Sequence, residues 1–514
     1  MSDSTAILRA MLIYGICLPL AIFLGYSLAT PDDRNTMALV GVILFTLSLP
    51  LLLRWYHPVL IFSWNMGASL FFLPGKPQLW LVMVLLGLVI ALTQFAINRN
   101  KKFLPVRSVI LPLIFLTVVI FFTAWFNGGI GLGMFGGGTY GGKRYILLFA
   151  AILGYFALVS RQIPVTHANR YAMFFLLSSA TSLIFQLATA INPSLYMAYP
   201  LFPSDEDMLR ATSTNVYTPI LDPISRLAGL AGAARAVCLF LLASFGIRKM
   251  FELDRVWRLA LMGVALALSF FGGFRSIFIG LVATFAIIFY LEGLLRTRVA
   301  FWLVLTAILA GVLVIPFTNK LPLSVQRTIS FLPVRVDPIV AADAQASTDW
   351  RLEMWKALWP EIPRYLFLGK GYAINAEELE LSQTLAHGGG STAEVAMLAG
   401  DYHNGPLSVI IPLGIAGMVA MLWFLGASIH ALYRNYLYGE PELKHINTFL
   451  FAYFLVRIIL FFGVYGSLYA DLAAFTGLIG FSISLNGGMR GPVVEPLPVF
   501  INKRAQPEAP PARR

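Results

Sequence analysis

Apolar runs of about 17 to 25 residues recur from residue 6 to residue 486, each long enough to cross roughly 30 Å of hydrocarbon as a helix. A backbone inside lipid must satisfy its own hydrogen bonds, which leaves only helices or a closed β-barrel. A barrel needs shorter segments of alternating polarity, and these runs do not alternate. The chain therefore reads as an all-α, polytopic transmembrane bundle. Fourteen spans can be drawn, at about 6–29, 36–53, 59–74, 78–97, 108–126, 144–160, 170–191, 229–247, 256–273, 275–293, 299–317, 405–429, 446–464 and 466–486. The third is short, with Pro58 and Pro74 at its ends, and suits a re-entrant segment; Phe270-Phe271-Gly272-Gly273 suits a hairpin or a break. Twelve to fourteen helices are expected.

Composition agrees. The 514 residues are 58% hydrophobic and 12% charged, where soluble domains carry roughly a quarter charged residues. The net charge of +12 would suit nucleic acid if it were gathered in one patch, but the basic residues are scattered between apolar runs, which fits a topological role beside membrane lipids and no nucleic-acid partner. Cys17 and Cys238 fall in different apolar runs, so neither a disulfide framework nor a cysteine metal site is indicated. No HExxH pattern and no Walker-type loop occurs, so no metal or cofactor is expected, and energy must arrive with the substrate or from a gradient.

Lysine and arginine in the short connections set the expected orientation. Arg99, Lys101, Lys102 and Arg107, then Arg161 and Arg170, then Arg248, Lys249, Arg255 and Arg258, then Arg296 and Arg298 mark one side, read as cytoplasmic. Both termini fall on that side. The first segment lacks a basic leader and a cleavage site, so it reads as a retained helix. Residues 1–490 form one membrane domain, and 491–514 a disordered cytoplasmic tail. Three segments fall outside: the glycine-rich 127–142, read as flexible backbone; 192–226, whose Asp205, Glu206, Asp207 and Asp222 read as a solvated loop; and the long 318–404. A loop of that length beside a membrane calls for its own short helices and a task.

Within it, Asp349 is placed to cap a surface-lying helix with Leu352, Trp355 and Trp359 on one face, ended by Pro360. Arg351 and Trp355 lie one turn apart on it, and Gly369-Lys370-Gly371-Tyr372 forms a turn-rich exit, while His387-Gly388-Gly389-Gly390 reads as loose. His403 sits where the loop re-enters the membrane, suited to acid–base or phosphate chemistry or, equally, to anchoring a helix end, with Asp401 and Asn404 able to orient it. Arg275 leads an apolar run near the outer boundary; its forked donors fit phosphate oxygens, and snorkelling to headgroups is the alternative. Arg457 lies mid-way along a span, too deep to snorkel, and calls for an acidic partner or a cavity, whether as a structural ion pair or a substrate contact.

His403-Asn404, followed by Gly414 and Gly417, resembles the extracytoplasmic histidine motif of bacterial O-antigen ligases and Wzy-type polysaccharide polymerases. Arg351-Leu352-Glu353-Met354-Trp355, Gly369-Lys370-Gly371 and Gly273-Phe274-Arg275-Ser276 resemble companion motifs, as does Arg226-Leu227-Ala228-Gly229, although Gly232-Ala233-Ala234 stands where the family has Asn-Pro-Asn. The resemblance covers roughly 220–480. It implies a metal-independent integral-membrane glycosyltransferase of the bacterial inner membrane, acting on its outer face. The donor would be a glycan on undecaprenyl pyrophosphate and the acceptor a glycan or lipid-glycan, with polysaccharide assembly and chain-length proteins as further partners. Arg275 and Arg351 would hold the pyrophosphate and His403 would assist attack by the acceptor hydroxyl, with Arg226, Asn404, Trp355, Lys370 and Arg457 as further substrate contacts. The long loop and extra helices lean towards a polymerase rather than a ligase. A transporter or flippase of lipid-linked glycans is the competing class, which inverted repeats would favour, and none is evident.

Overall fold

The computed structural model describes residues 18–26, 34–70, 75–98, 103–128, 139–192, 226–375 and 400–492, with scattered positions between 73 and 397. Residues 131–138 of the glycine-rich stretch, the acidic 203–225, His387–Gly390, Cys17 and 493–514 lie outside the described residues. The architecture is all-α. Besides a helical stretch at 18–26, its α-helices of seven or more residues among those described are α1 (Arg34–Ser63), α2 (Leu79–Ile97), α3 (Arg107–Phe126), α4 (Gly142–Leu158), α5 (Ala168–Leu177), α6 (Ser182–Ile191), α7 (Ala228–Phe245), α8 (Trp257–Ser269), α9 (Arg275–Leu291), α10 (Arg298–Val314), α11 (Leu323–Ile329), α12 (Pro338–Leu358), α13 (Gly405–Tyr438), α14 (Lys444–Gly463) and α15 (Leu468–Asn486). Among the described residues the one sheet is a two-residue antiparallel pair, β1 (Thr139–Tyr140) with β2 (Ile374–Asn375).

Eight helices among the described residues are long and apolar enough to cross a membrane, or nine counting one sharply bent pair, fewer than the twelve to fourteen expected. Most of the span read at 6–29 lies outside the described residues, and the rest of the difference has local causes. The spans read at 36–53 and 59–74 merge, because α1 continues to Ser63 through a kink at Trp55. Leaving helical geometry there relieves the clash that Pro58 would make with the carbonyl of Arg54. Beyond Ser63 the chain forms turns and a Ser69–Gln78 bridge, not a third helix. The spans read at 144–160, 256–273 and 275–293 are helices α4, α8 and α9, but of only 17, 13 and 17 residues. The Phe270–Gly273 junction is a break: α8 packs on α7 while α9 packs on α14.

The centre of the bundle is α15, which packs on α4 and buries Leu472, Phe475, Ile479, Phe481 and Ile483 completely or nearly so. Around it lie Leu113, Leu116, Tyr145, Leu148, Tyr155, Phe449 and Phe454. At one end of the bundle, buried amides lock three helices together. Asn447 Nδ2 donates to Asn486 Oδ1 at 3.0 Å, Asn486 Nδ2 to Asn447 Oδ1 at 2.8 Å, and Asn435 Nδ2 to Ser482 Oγ at 3.1 Å. The basic connections meet at this same end: Ile163 N–H donates to Ser484 O, Arg248 N–H to Glu292 Oε2, and Arg490 pairs with Glu440. The 318–375 segment and the 400–404 turn cover the opposite end.

Candidate functional site

The site begins with two broken backbones. At Phe270–Gly273 the chain turns out of α8, leaving carbonyls without helical partners. Thr328 Oγ1 donates to Phe270 O at 2.8 Å, Leu227 N–H to Phe271 O at 3.0 Å, and Arg327 Nη1 to Gly273 O at 2.6 Å. Helix α11 is thereby docked on the turn, beside the N-terminus of α9. The second break is inside α13, where Pro412 is followed by Gly414 at φ +66°. The freed groups are taken by the segment leaving the loop: Lys370 N–H donates to Ile411 O at 2.7 Å, Gly371 N–H to Pro412 O at 2.9 Å, and Ile415 N–H to Leu366 O at 2.6 Å.

Helix α12 spans these two anchorages. It starts earlier than the sequence suggests: Asp337, not Asp349, is its cap, with Oδ1 accepting from Ile339 N–H at 2.9 Å, and Pro338 occupies the first turn. Its buried face is Val340, Ala344, Met354 and Leu358, whereas Leu352 is 43% and Trp359 71% exposed. Of the Leu352–Trp355–Trp359 face, Leu352 and Trp359 thus stay exposed and only Trp355 packs on the protein. Met354 and Leu358 meet Tyr402, Leu407 and Ile411 in a small apolar cluster that fixes α12 against the start of α13. Trp355 belongs to this joint, its Nε1–H donating to Tyr402 O at 2.9 Å.

Between α9, α12 and the α14–α15 connection lies an open cleft of about 890 Å³, lined by Arg226, Arg275, Arg327, Arg351, Asp343, Trp350, Tyr465 and His403 among others. Four guanidiniums face one carboxylate. Asp343 is ion-paired with Arg327 and lies 3.6 Å from Arg226. Arg275 donates to Ala344 O at 3.3 Å and sits 3.5 Å from Thr348 Oγ1, tying the start of α9 to α12. Arg351 stacks over Trp350 at 5.3 Å, and its buried Nε has no hydrogen-bond partner among the described residues. Burial, with Arg275 and Arg327 close by, holds the Arg351 pKa below its ordinary value; arginine remains charged even so.

His403 stands at the rim in the left-handed region, φ +44°, rare for a residue with a Cβ. Its Nε2 is 3.5 Å from Asp401 Oδ2, and its ring meets Trp350 edge-on at 5.2 Å. Burial lowers its pKa; Asp401 opposes this and Arg351 adds to it, so the neutral imidazole is favoured at neutral pH. Beneath this turn Arg144 stacks on Tyr469 at 4.9 Å and Tyr372 at 5.9 Å, close to Gly400.

The fold thus brings Arg226, Arg275, Arg351 and His403 into one cleft. Four other candidates are placed elsewhere. Asn404 caps α13, its Oδ1 accepting from Leu407 N–H at 3.0 Å. Trp355 holds the loop. Lys370 spends its backbone on the α13 break and its ammonium, at 3.3 Å, on Glu378. Arg457 lies outside the cleft, paired with Asp471, whose other oxygen accepts from Ser467 N–H at 2.9 Å. Arg327, Asp343 and Arg144 escape a motif reading, since none lies in a distinctive pattern. Among the described residues no group of three His, Cys, Asp or Glu side chains is poised to hold a metal.

Fold and cleft define a class: a polytopic helical membrane protein presenting clustered arginines and one imidazole at one end of its bundle. Residues 260–422 match the family model Wzy_C, described as O-antigen ligase, a stretch that takes in Arg275, Arg327, Arg351 and His403. The match supports the O-antigen ligase/Wzy superfamily and a membrane function of ligase or polymerase type. No curated protein matches the chain.

Proposed function

We propose that the protein is a metal-independent glycosyltransferase that moves a glycan from undecaprenyl pyrophosphate to an acceptor sugar hydroxyl at the outer face of the bacterial inner membrane, in polymerisation or ligation of a cell-surface polysaccharide. The observation that carries this reading is the convergence of four arginines and His403 on one cleft at a bundle end. As the bond between the anomeric carbon and the pyrophosphate oxygen breaks, its electron pair and growing negative charge pass to the leaving group. Fixed guanidiniums stabilise that charge most where water is partly excluded. The acceptor oxygen forms the new bond to the anomeric carbon, and its proton goes to His403. With Asp401 facing Nε2, the tautomer carrying its hydrogen there leaves Nδ1 as the accepting nitrogen.

The test is single-turnover transfer by reconstituted protein on an undecaprenyl-pyrophosphate-linked glycan. His403→Ala is expected to keep donor affinity and lower turnover by about 10²-fold or more, the range for losing a general base. Wild-type turnover by that variant would remove His403 from the chemistry, and movement of the glycan between leaflets without a change in its length or linkage would favour a transporter.

A further inference from the structure

At the end of the bundle away from the cleft is a second polar hollow, about 410 Å³, lined by Leu53, Arg54, Tyr56, Gln94, Ser160, Arg161 and Gln162. Its position follows from its neighbours: Ser484 Oγ donates to Arg161 O, and Gln162 lies against Gly487, next to the asparagine lock. Arg54 comes from α1, one residue before the kink at Trp55, and Arg161 from the connection between α4 and α5. Tyr56 and Ser160 form buried walls, 2% and 8% exposed.

Scattered basic residues at one end of a membrane protein need no explanation beyond topology. Topology does not require two of them to converge on one hollow. Among the described residues neither Arg54 nor Arg161 makes an ion pair, and the lining contains no carboxylate. Two like charges brought together without an acid, beside amide and hydroxyl groups, is an arrangement that an anion completes; guanidinium forks match phosphate oxygens. Leu53, in the lining itself, is 49% exposed, and the two helices that carry Arg54 and Gln94 expose further apolar side chains, Leu51 at 61% and Leu92 at 51%. A free anion has no use for such apolar neighbours, whereas acyl chains do. We propose that this hollow is a binding site for the phosphate headgroup of an anionic phospholipid, held between Arg54 and Arg161 with its chains along α1 and α2.

The experiment uses the full chain in zwitterionic nanodiscs, titrated with phosphatidylglycerol and read by native mass spectrometry as retained lipid and by thermal unfolding. Sugar transfer is not the readout, so the result is independent of the proposed enzymatic function. Wild-type protein is expected to retain phosphatidylglycerol in preference to phosphatidylcholine and to be stabilised by it, and Arg54→Gln/Arg161→Gln to lose roughly 30-fold in apparent affinity. Should that variant fail to fold, Arg54→Lys/Arg161→Lys keeps both charges without the fork and is expected to bind with intermediate affinity. Equal retention of the two lipids by wild type, or an unchanged response in the folded double variant of either kind, would overturn the site. Stabilisation by inorganic phosphate alone, with none from phosphatidylglycerol, would overturn the lipid assignment in favour of a soluble anion.

Discussion

His403 occupies a backbone conformation that costs a residue with a Cβ of order 1 kcal/mol or more, and the surroundings hold it there. Trp355 fixes the preceding carbonyl, Asn404 caps the helix that follows, and Trp350 bounds the ring. In the proposed mechanism the base must be neutral, and the lowered pKa places protonation below the ordinary value near 6.5. kcat/KM is therefore expected to be flat at neutral pH and to fall as pH drops through the His403 pKa, because protonation removes the base. A phosphate-donating imidazolium would give the opposite limb, with activity falling as pH rises through the same pKa. A second outcome concerns Arg351, whose Nε lacks a partner among the described residues and whose guanidinium lies over Trp350. Arg351→Lys keeps the charge but loses the fork and the stacking, and it is expected to lower kcat/KM by about 10-fold or more; near-normal turnover would leave Arg351 as a loop anchor. Arg275 and His403 were legible in the sequence because each stands at the head of an apolar run; Arg351, inside the polar loop, was legible only by its place one turn from Trp355 and by the motif resemblance. Arg327 was not: it acts through Gly273 and Asp343, residues 54 and 16 positions away, and no local spacing encodes such contacts. The partner of Arg457 was equally hidden, since Asp471, in the first turn of the last span, has no visible link to Arg457 until α14 and α15 pack.

At the scale of elements, the glycines of the loop exit and of α13 are two halves of one joint. Gly369 sits at φ +71°, and a Cβ on it would come within 2.2 Å of Pro412 O. Gly414 opens the helix that receives the segment. The sequence motif reads as a turn near a histidine; its physical content is a backbone splice that sets the distance between α12 and α13, and hence between Arg351 and His403. Gly369→Ala is expected to lower the unfolding temperature and abolish transfer, while Lys370→Ala, which keeps the spliced amide and removes only an ion pair about one-third exposed, leaves both nearly unchanged. Thermal unfolding and transfer assays on the two variants, side by side, check this; a normal Gly369→Ala would mean that the splice does not hold the site. Helix α12 was half legible. Its cap and first turns, around Asp337 and Pro338, precede a polar stretch of alanines and acids with no apolar period, so only its second half, with Leu352 to Trp359, carries a helical signal in the sequence. Propensity carried the first half and packing chose the face.

For the molecule as a whole, apolar run length sufficed to read an all-α membrane bundle, because lipid excludes nearly every alternative. Among the described residues fewer helices qualify as crossings than runs were drawn, since a run of suitable length can be part of a bent helix, as in α1, or a helix too short to cross alone, as in α8. Helix count matters because parity sets sidedness. The folded chain gathers the connections at Arg161, Arg248 and Arg490 at one end and the arginine cleft at the other. If the positive-inside bias governs insertion, the cleft faces away from the cytoplasm, where a lipid-pyrophosphate donor displayed on the outer leaflet would meet it. In a variant lacking Cys17 and Cys238, Glu380→Cys is expected to react with a membrane-impermeant maleimide in intact cells, and Lys101→Cys only after the membrane is opened. The reverse pattern would place the cleft in the cytoplasm and end the proposed reaction. Labelling at both positions in intact cells would show instead that the two ends are not on opposite sides, so the parity drawn from the basic connections would fail with it.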